Sequence, residues 1–342
     1  MLKKLLFLFP FLLAACNPPP CTAPAYNAER YLVVDTTGGL GNRFNAIASG
    51  AAVAKLTGRK LVVWWDHIPD ELPATFHDLF TNDYLQLEDA PLPAGWTPMD
   101  LLDKCVRCDS VVKRWNVNND DYKDLPILLH SDAQYIVVRH VVPFGTAKQP
   151  EESLTETIRF MEELHPVDDV KKTVSDFAKK HFAGKYMVGV HYRSLVLSAD
   201  VKLIAKPKFE LYVDKMRHAI EENASTAFFV ASDAPEIVDR FEQAFPGRVV
   251  RYPSFGIARE NIEDMKIALI EWLLLGESNY IIGTNTSTFS ISAALRTKER
   301  RNIAIGPGDS KAKGGQLFCF EQDGGMDEGM LNFTDNCPAH HQ

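Results

Sequence analysis

The chain contains 342 residues, of which 46% are hydrophobic and 24% are charged, and its formal net charge at pH 7 is −8. A chain of this length and composition folds into one large domain or two ordinary ones, which excludes an intrinsically disordered protein. The acidic balance excludes a general nucleic-acid binder, because such a protein gains its affinity from a basic surface that meets phosphates. Any phosphate group would therefore be bound by a local site.

Residues 1–20 have the pattern of an export signal: two lysines, an apolar run over residues 5–15, and then prolines. The run is about half of the roughly 20 apolar residues that a membrane-spanning helix needs. Residues 13–16 resemble a bacterial lipobox, in which Cys16 would be lipidated and would anchor the mature protein. A plain cleaved signal remains the alternative. The protein is therefore predicted to be exported, either as a lipoprotein anchored to the membrane through Cys16 or into the lumen of a secretory pathway.

Five further cysteines follow Cys16, so at least one of them has no partner within the chain. In an oxidising compartment, one or two disulfides are expected. Cys105 and Cys108 have the spacing of half a zinc site or of a redox pair. Because no second close pair completes a zinc site, we favour a disulfide over zinc. The five cysteines are Cys21, Cys105, Cys108, Cys319 and Cys337.

The first predicted lobe, residues 28–165, opens with a strand, a glycine turn, a helix and a second strand. This order predicts a parallel strand pair joined by a right-handed crossover, which is typical of a Rossmann-like lobe. Residues 66–124 are irregular and are where we expect ligand specificity, because loops on a rigid scaffold usually carry it. The predicted elements are strand 31–34, turn 36–41, helix 43–56, strand 60–65 and strand 135–138.

The second predicted lobe, residues 166–318, alternates strands and helices and is followed by a tail, residues 319–342. The alternation predicts a doubly wound sheet with ligands beyond the carboxyl ends of its strands. The fold class is therefore α/β, with two Rossmann-like doubly wound lobes that face a central cleft. Helix 151–165 ends the first lobe, and helix 167–182 leads into the first strand of the second. The strands of the second lobe are 186–190, 226–231, 248–252 and 280–282, and its further helices are 209–222, 236–245, 261–275 and one beginning near residue 290.

The glycine turn is the first candidate site, because small residues let a backbone approach a ligand and the next helix offers unpaired N–H groups. A dinucleotide fingerprint would place a third glycine where Phe44 stands, although Asp66 ends the next strand at the position of a ribose-binding acid. A nicotinamide-dependent dehydrogenase and a simple tight turn both remain open. The residues concerned are Gly39, Gly41, Asn42 and Arg43.

His191 and Arg193 end the strand that enters the second lobe. Arginine presents a planar, charged fork that suits two phosphate oxygens, so Arg193 is the predicted phosphate contact. Asp233 follows another strand and could accept hydrogen bonds from guanine or from a ribose hydroxyl. The alternatives are a surface ion pair for Arg193, a hydrogen-bonded structural role for His191 and an Asx-type turn for Asp233.

The last candidate site follows a helix whose apolar stripe marks it as core. Asp264 lies off that stripe, and the loop after the next strand concentrates hydroxyl groups just before a helix. Backbone N–H groups and hydroxyls at a helix start can bind an anion such as a diphosphate. An ordinary N-cap would explain one or two of these hydroxyls. The loop residues are Ser287, Thr288, Phe289 and Ser290.

Taken in order, these segments resemble the superfamily of GDP-fucose-dependent fucosyltransferases, which includes α1,2-, α1,6- and protein O-fucosyltransferases. The resembling segments are residues 38–43, 188–193, 232–233, and Asp264 with 287–290, spread over residues 30–296. In many members the His-x-Arg triplet is followed by a second arginine and an aspartate. Here residues 194–196 are Ser-Leu-Val, so the second phosphate contact and the linkage stay undecided.

The resemblance implies a GT-B fold and an inverting transfer of fucose to a hydroxyl of a glycan or glycoconjugate, without a metal and with no cofactor besides the donor substrate. It places Arg193 on the β-phosphate, residues 287–290 around the diphosphate, Asp233 near the nucleoside and Asp264 as a further donor-site carboxylate. By position after a strand, Asp66 and His67 are the nearest candidates for a general base. The first lobe would then be the acceptor side, with acceptor specificity in residues 66–124, and the second lobe would bind the nucleotide sugar.

Two other functions remain open: a non-catalytic exported protein that binds carbohydrate or nucleotide, and an NAD-dependent dehydrogenase. In a bacterial envelope, a lipidated protein would lack GDP-sugars as donors.

Overall fold

Two β-sheets, one from each half of the chain, form the framework of the protein. The computed structural model describes residues 19, 21–22, 28–65, 72–103, 106–116, 129–139, 144–145, 149–194, 208–253, 260–284, 287–305 and 316–319. Within these ranges no helix is long and apolar enough to cross a membrane.

The first sheet has four parallel strands in the order β2-β1-β4-β3. Every residue of β1 is buried, as expected for a parallel strand covered on both faces. Helix α1 connects β1 to β2, so the predicted crossover is confirmed. The elements are β1 (Tyr31–Thr36), α1 (Leu40–Leu56), β2 (Lys60–Trp65), β3 (Val112–Asn116) and β4 (Tyr135–Arg139).

The segment predicted to be irregular contains two short helices, α2 (Phe76–Leu79) and α3 (Pro98–Leu102), each opened by a capping box. It also contains β3, which the sequence did not reveal. The guanidinium of Arg114 in β3 donates to three backbone carbonyls, including that of Leu101 at 2.5 Å. These hydrogen bonds outside the strand stabilise β3, whose charged residues interrupt the apolar pattern expected of a buried strand.

Helices α4 (Pro150–Glu162) and α5 (Asp168–His181) lie between the two sheets in the sequence, close to the predicted bounds. Helix α4 packs against α1 of the first sheet, where Lys55 and Glu156 form an ion pair at 2.6 Å. Both helices have an amphipathic pattern, with acidic residues in the first turn.

The second sheet has six strands in the order β10-β9-β8-β5-β6-β7, and β10 alone runs antiparallel. Its parallel strands follow the doubly wound order, in which the chain reverses direction between β5 and β8. The α/β fold class is confirmed. The elements are β5 (Tyr186–Tyr192), α6 (Phe209–Glu222), β6 (Thr226–Ser232), α7 (Pro235–Ala244), β7 (Val249–Val250), α8 (Ile262–Gly276), β8 (Tyr280–Thr284), α9 (Thr288–Ala294), β9 (Arg301–Ile305) and β10 (Gln316–Cys319).

One hydrophobic cluster runs through both halves of the molecule. It includes Val34 of the first sheet and Phe229 of the second. Phe44 of α1 contacts Trp272 of α8, with ring centroids 4.3 Å apart. The two sheets therefore share a core, and the division of the chain near residue 165 into two domains stays a prediction.

A disulfide joins Cys21 to Cys108, with their Cα atoms 5.5 Å apart. The prediction of a disulfide at Cys108 is confirmed, but its partner is distant in sequence. Because Cys108 is bonded to Cys21, it does not form a local redox pair with Cys105, which lies outside the described residues.

Candidate functional site

The glycine turn is shorter than predicted. Helix α1 begins at Leu40 rather than at residue 43, with Gly39 as its N-cap, so the last three motif residues belong to its first turn. Gly38 has φ +74°, a left-handed conformation that glycine adopts without the strain of a Cβ atom. The predicted start of the helix was wrong because glycine disfavours helices, so Gly38, Gly39 and Gly41 indicated a turn as far as residue 41.

Gly41 lies against the second half of the molecule. A Cβ atom on Gly41 would lie 2.4 Å from the backbone nitrogen of Phe289, at the start of α9. Next to it, the Thr288 hydroxyl donates to the side-chain oxygen of Asn42. These two motif residues therefore join the starts of α1 and α9, and their predicted contact with a donor stays a prediction.

Arg43 is fully buried. Its Nε donates to the carbonyl of Gly38 at 2.8 Å and its Nη1 to the hydroxyl of Thr36 at 3.2 Å. The guanidinium also lies 4.9 Å from the centroid of the Trp65 ring. Arg43 thus stabilises the turn from inside, and a donor would reach its guanidinium only if the turn opened.

Arg193 and Asp233 form an ion pair at the carboxyl ends of the neighbouring strands β5 and β6. Arg193 Nη1 donates to Asp233 Oδ2 at 2.6 Å, and the Ser194 backbone N–H donates to Oδ1, also at 2.6 Å. The Asp233 side chain is 1% exposed and that of Arg193 is 21% exposed. Among the described residues, Asp233 is the sole hydrogen-bond partner of this guanidinium. The carboxylate therefore orients a fork with free donors.

A buried network joins the ends of β5 and β8, where the strand order reverses. The Arg193 backbone N–H donates to the Thr284 hydroxyl at 2.8 Å, which lies 2.7 Å from the Tyr212 hydroxyl. Tyr212 also donates to the carbonyl of His191 at 3.1 Å. Burial raises the pKa of Tyr212, so its hydroxyl stays protonated. Tyr212 was not among the predicted site residues, because it belongs to the apolar, buried face of α6.

His191 is a residue of β5, not of the loop after it, because the strand continues to Tyr192. Its ring is buried 5.1 Å from that of Phe289, and its Nδ1 has no hydrogen-bond partner among the residues that the structure describes. Burial lowers the pKa of His191 to about 4, opposed by the charge of Asp233. The imidazole is therefore neutral near pH 7.

The predicted hydroxyl loop is only partly accessible. The Ser290 hydroxyl is buried and donates to the Ser287 carbonyl at 3.1 Å, and that of Thr288 is engaged by Asn42. Ser287 is the N-cap of α9 without a side-chain capping bond, and it is half-buried, like Phe289. The contact of these four residues with a diphosphate stays a prediction.

Asp264 has a structural role at the start of α8. Its backbone N–H donates to the side chain of Asn261 at 3.0 Å, and its carboxylate accepts from the Glu260 N–H at 2.9 Å. The first bond is the N-cap bond of Asn261, and the second reaches the residue before the N-cap. Asp66 and His67, the predicted base candidates, lie outside the described residues. Their role stays a prediction.

Glu271 is a buried acid that the sequence analysis did not select. It is 3% exposed and lines a small pocket at the carboxyl end of β6. Ser232, which directly precedes Asp233 in the chain, lines the same pocket. A charged residue inside the apolar stretch 268–275 was the signal that could have revealed it. The other lining residues are Val230, Pro235, Val238, Arg251 and Tyr252.

This geometry belongs to a two-sheet α/β protein of the GT-B-like class, with a positioned arginine at the strand-order reversal of its second sheet. No protein-family model and no curated protein sequence matches the chain. Solved structures do match its fold. Fucosyltransferase NodZ from Bradyrhizobium is 21% identical, with a TM-score of 0.56 over 81% of this chain and 95% of that one.

Two further structures are similar. NodZ α-1,6-fucosyltransferase soaked with GDP-fucose is 21% identical over 85% of this chain and 98% of that chain, with a TM-score of 0.57. A mutant of FUT1 from Arabidopsis thaliana in complex with GDP is 15% identical over 81% of this chain and 70% of that chain, with a TM-score of 0.55. The chain has the fold of these fucosyltransferases.

Proposed function

We propose that the protein is a fucosyltransferase that moves fucose from GDP-fucose to a hydroxyl of a glycan or glycoconjugate, with inversion and without a metal. The observation that carries the proposal is the Arg193 fork, held by a buried Asp233 at the strand-order reversal of the second sheet. In doubly wound sheets this crevice is the usual ligand site. The shared fold with enzymes crystallised with GDP or GDP-fucose supports the choice of donor.

Arg193 has the chemistry that this reaction requires. Breaking the bond between the sugar and GDP places negative charge on the departing diphosphate, so fixed donors aimed at it lower the barrier. The Asp233 carboxylate fixes the guanidinium through one Nη group, which leaves its other N–H groups for phosphate oxygens. The orientation is present before the donor binds, so little reorganisation is needed during the reaction.

We further infer that Glu271 takes part in recognising the base, whereas Asp233 near the nucleoside and Asp264 as a further donor-site carboxylate stay as proposed from the resemblance. Guanine presents a ring N–H and an amino group side by side, and a carboxylate accepts both. Glu271 lines the small pocket at the carboxyl end of β6, the strand that directly precedes Asp233. The general base is proposed to be Asp66 or His67, from the first half of the chain.

Calorimetric titration of the purified chain with GDP, GDP-fucose, UDP and NAD tests the donor. We expect the two guanine nucleotides to bind, and Arg193→Ala to weaken them at least about tenfold, since a hydrogen bond to a charged group contributes about 1.5–3 kcal/mol. Arg193→Lys should restore part of the affinity, because lysine lacks the fork. Arg217→Ala is the matched control, because Arg217 is an exposed arginine of α6 in a surface ion pair.

IDP, which lacks the amino group of guanine, tests Glu271. The wild type should bind GDP about tenfold more tightly than IDP, and Glu271→Gln should remove this preference. Retention of the preference in the variant would assign base recognition to another residue.

Binding of NAD alone would support a dehydrogenase, and binding of glycan without nucleotide would support a non-catalytic protein. Absence of guanine-nucleotide binding would overturn the transferase. Activity is then measured as release of GDP from GDP-fucose together with the mass of the fucosylated acceptor.

We also propose that the protein is exported, with Cys16 as a site of lipidation. The Cys21–Cys108 disulfide supports an oxidising compartment. Expression of the full chain and of Cys16→Ser tests this location: the wild type should fractionate with membranes and the variant should not. Equal distribution of both forms would leave a plain cleaved signal as the explanation.

A further inference from the structure

A second arginine–aspartate pair lies at the carboxyl end of the first sheet. Asp35 near the end of β1 and Arg139 at the end of β4 are register partners in adjacent parallel strands. Arg139 Nε donates to Asp35 Oδ2 at 2.7 Å. The Asp35 side chain is 6% exposed, and that of Arg139 is 37% exposed. The arrangement repeats that of Arg193 and Asp233, with a buried acid that holds a partly exposed arginine.

The position of the pair is where a doubly wound sheet binds ligands. In the order β2-β1-β4-β3, the chain moves from β1 to one neighbour, β2, and returns to the other side of β1 with β3 and β4. The strand order therefore reverses between β1 and β4, and a crevice opens beyond their carboxyl ends. Asp35 and Arg139 lie on the two sides of that reversal. Asp35 also lies shortly before the glycine turn.

A purely structural role explains this pair poorly. Removing two charges from water costs free energy that their attraction often fails to recover, so a buried pair is weak support for stability. Arg139 uses only its Nε on Asp35, and within the described ranges its two Nη groups have no hydrogen-bond partner. The four N–H bonds of those groups form a planar fork that fits two oxygens of one carboxylate or phosphate group.

We propose that Arg139, oriented by Asp35, binds an oxyanion, a carboxylate or a phosphate, on the acceptor molecule. That the bound molecule is the acceptor rests on the proposed function, whereas the binding of an oxyanion by Arg139 does not. Arg139 is the binding residue and Asp35 is a positioning residue. The chemical class of acceptor is therefore an acidic or phosphorylated glycan rather than a neutral one.

The test compares three sugar probes on the full chain that carries Arg193→Ala, so that the arginine of the second sheet does not bind them. The probes are methyl glucuronide, glucose 6-phosphate and methyl glucoside, which supply a carboxylate, a phosphate and neither. Calorimetry should show at least one anionic probe binding about tenfold or more tightly than the neutral one. The better anionic probe identifies the source of the oxyanion.

The variants assign the site. Arg139→Gln should remove the preference for the anionic probe, Arg139→Lys should keep part of it, and Asp35→Asn should weaken it because the fork loses its orientation. The control Arg159→Gln changes an exposed arginine of α4 that also pairs with an acid, and it should leave affinity unchanged. Circular dichroism checks folding, and the double variant Asp35→Asn/Arg139→Gln avoids an unpaired buried charge.

Three results would overturn the inference: equal affinity for charged and neutral probes, no binding of either anionic probe, or an anion preference that survives in Arg139→Gln. The first two are read on the chain with an intact Arg139, so they do not depend on the folding of an Arg139 variant. Absence of GDP binding to the wild-type chain, together with an anion preference in the probe test, would instead overturn the proposed function and leave an oxyanion site.

Discussion

Three arginines near strand ends have different roles because their surroundings differ. Arg43 is fully buried, and its guanidinium donates to residues of the turn around it. Arg193 and Arg139 each form an ion pair with a buried aspartate through one nitrogen, and their side chains are partly exposed. A guanidinium is useful for binding only when it is both fixed and accessible. At the scale of single residues, the buried aspartate holds the guanidinium in one orientation.

His191 provides a pH-dependent prediction at this scale. Burial lowers the pKa of its ring from 6.5 to about 4. The unfolded chain therefore binds a proton at His191 between these pH values and the native protein does not. The resulting stabilisation is complete above pH 6.5 and is lost as the pH falls toward 4, by up to about 3 kcal/mol.

Urea unfolding of the wild type and of His191→Asn at several pH values measures this loss. Carboxylates titrate in the same range, so the difference between the two proteins is the quantity of interest. It should shrink by the stated amount between pH 7 and pH 4. A constant difference between the wild type and His191→Asn would contradict a buried neutral ring.

At the scale of elements, the junction of α1 with α9 determines how the glycine motif is used. Gly41 has no Cβ atom, so the first turn of α1 can approach the backbone of Thr288 and Phe289. The Thr288 hydroxyl then bonds Asn42 across the junction. A motif that suggested ligand approach thus also serves close packing of two helix starts.

Gly41→Ala distinguishes packing from an ordinary helical position. In an open helix the change would stabilise the protein by about 1 kcal/mol, because alanine is the better helix former. Here the new Cβ atom would lie 2.4 Å from a backbone nitrogen that no side-chain rotation can move away. We expect a net loss of about 2–3 kcal/mol in the free energy of unfolding.

Chemical denaturation of Gly41→Ala beside Gly247→Ala measures the effect. Gly247 has φ +75° and no atom within 4 Å of an added Cβ, so its loss of about 1 kcal/mol reports backbone strain alone. A stabilised Gly41→Ala would show that the two helix starts are not in contact.

At the scale of the whole molecule, the two sheets are joined through a common core. Trp272 of α8 is fully buried, contacts the ring of Phe44 of α1 in a tilted arrangement and donates its indole N–H to the Ser292 hydroxyl at 2.9 Å. Because α1 belongs to the first sheet and α8 to the second, the sheets should unfold together.

Truncation of Trp272 tests this coupling. Trp272→Ala should cost about 3–5 kcal/mol, and it should lower the hydrogen-exchange protection of β1 and β6 by the same free energy. Phe245→Ala, which empties a position in the cluster confined to the second half, is the comparison. Two separate thermal transitions in the wild type would argue for independently folding lobes.

The sequence alone determined the features that depend on neighbouring residues. Apolar runs such as β1 and β6, glycine at a left-handed position and an arginine directly after a buried strand are local patterns, and each predicted its element or site. Strand β3 and residues Tyr212 and Glu271 were missed because their environment comes from distant parts of the chain.

Only the tertiary structure decided which of these groups meet. Strand order places Asp35 beside Arg139, 104 residues away, and Cys21 beside Cys108, 87 residues away. It also buries Arg43 of the glycine motif in the core and leaves Arg193 partly exposed at a strand end. The physical reason is that burial and charge pairing depend on three-dimensional neighbours, which the sheet order and the docking of helices select.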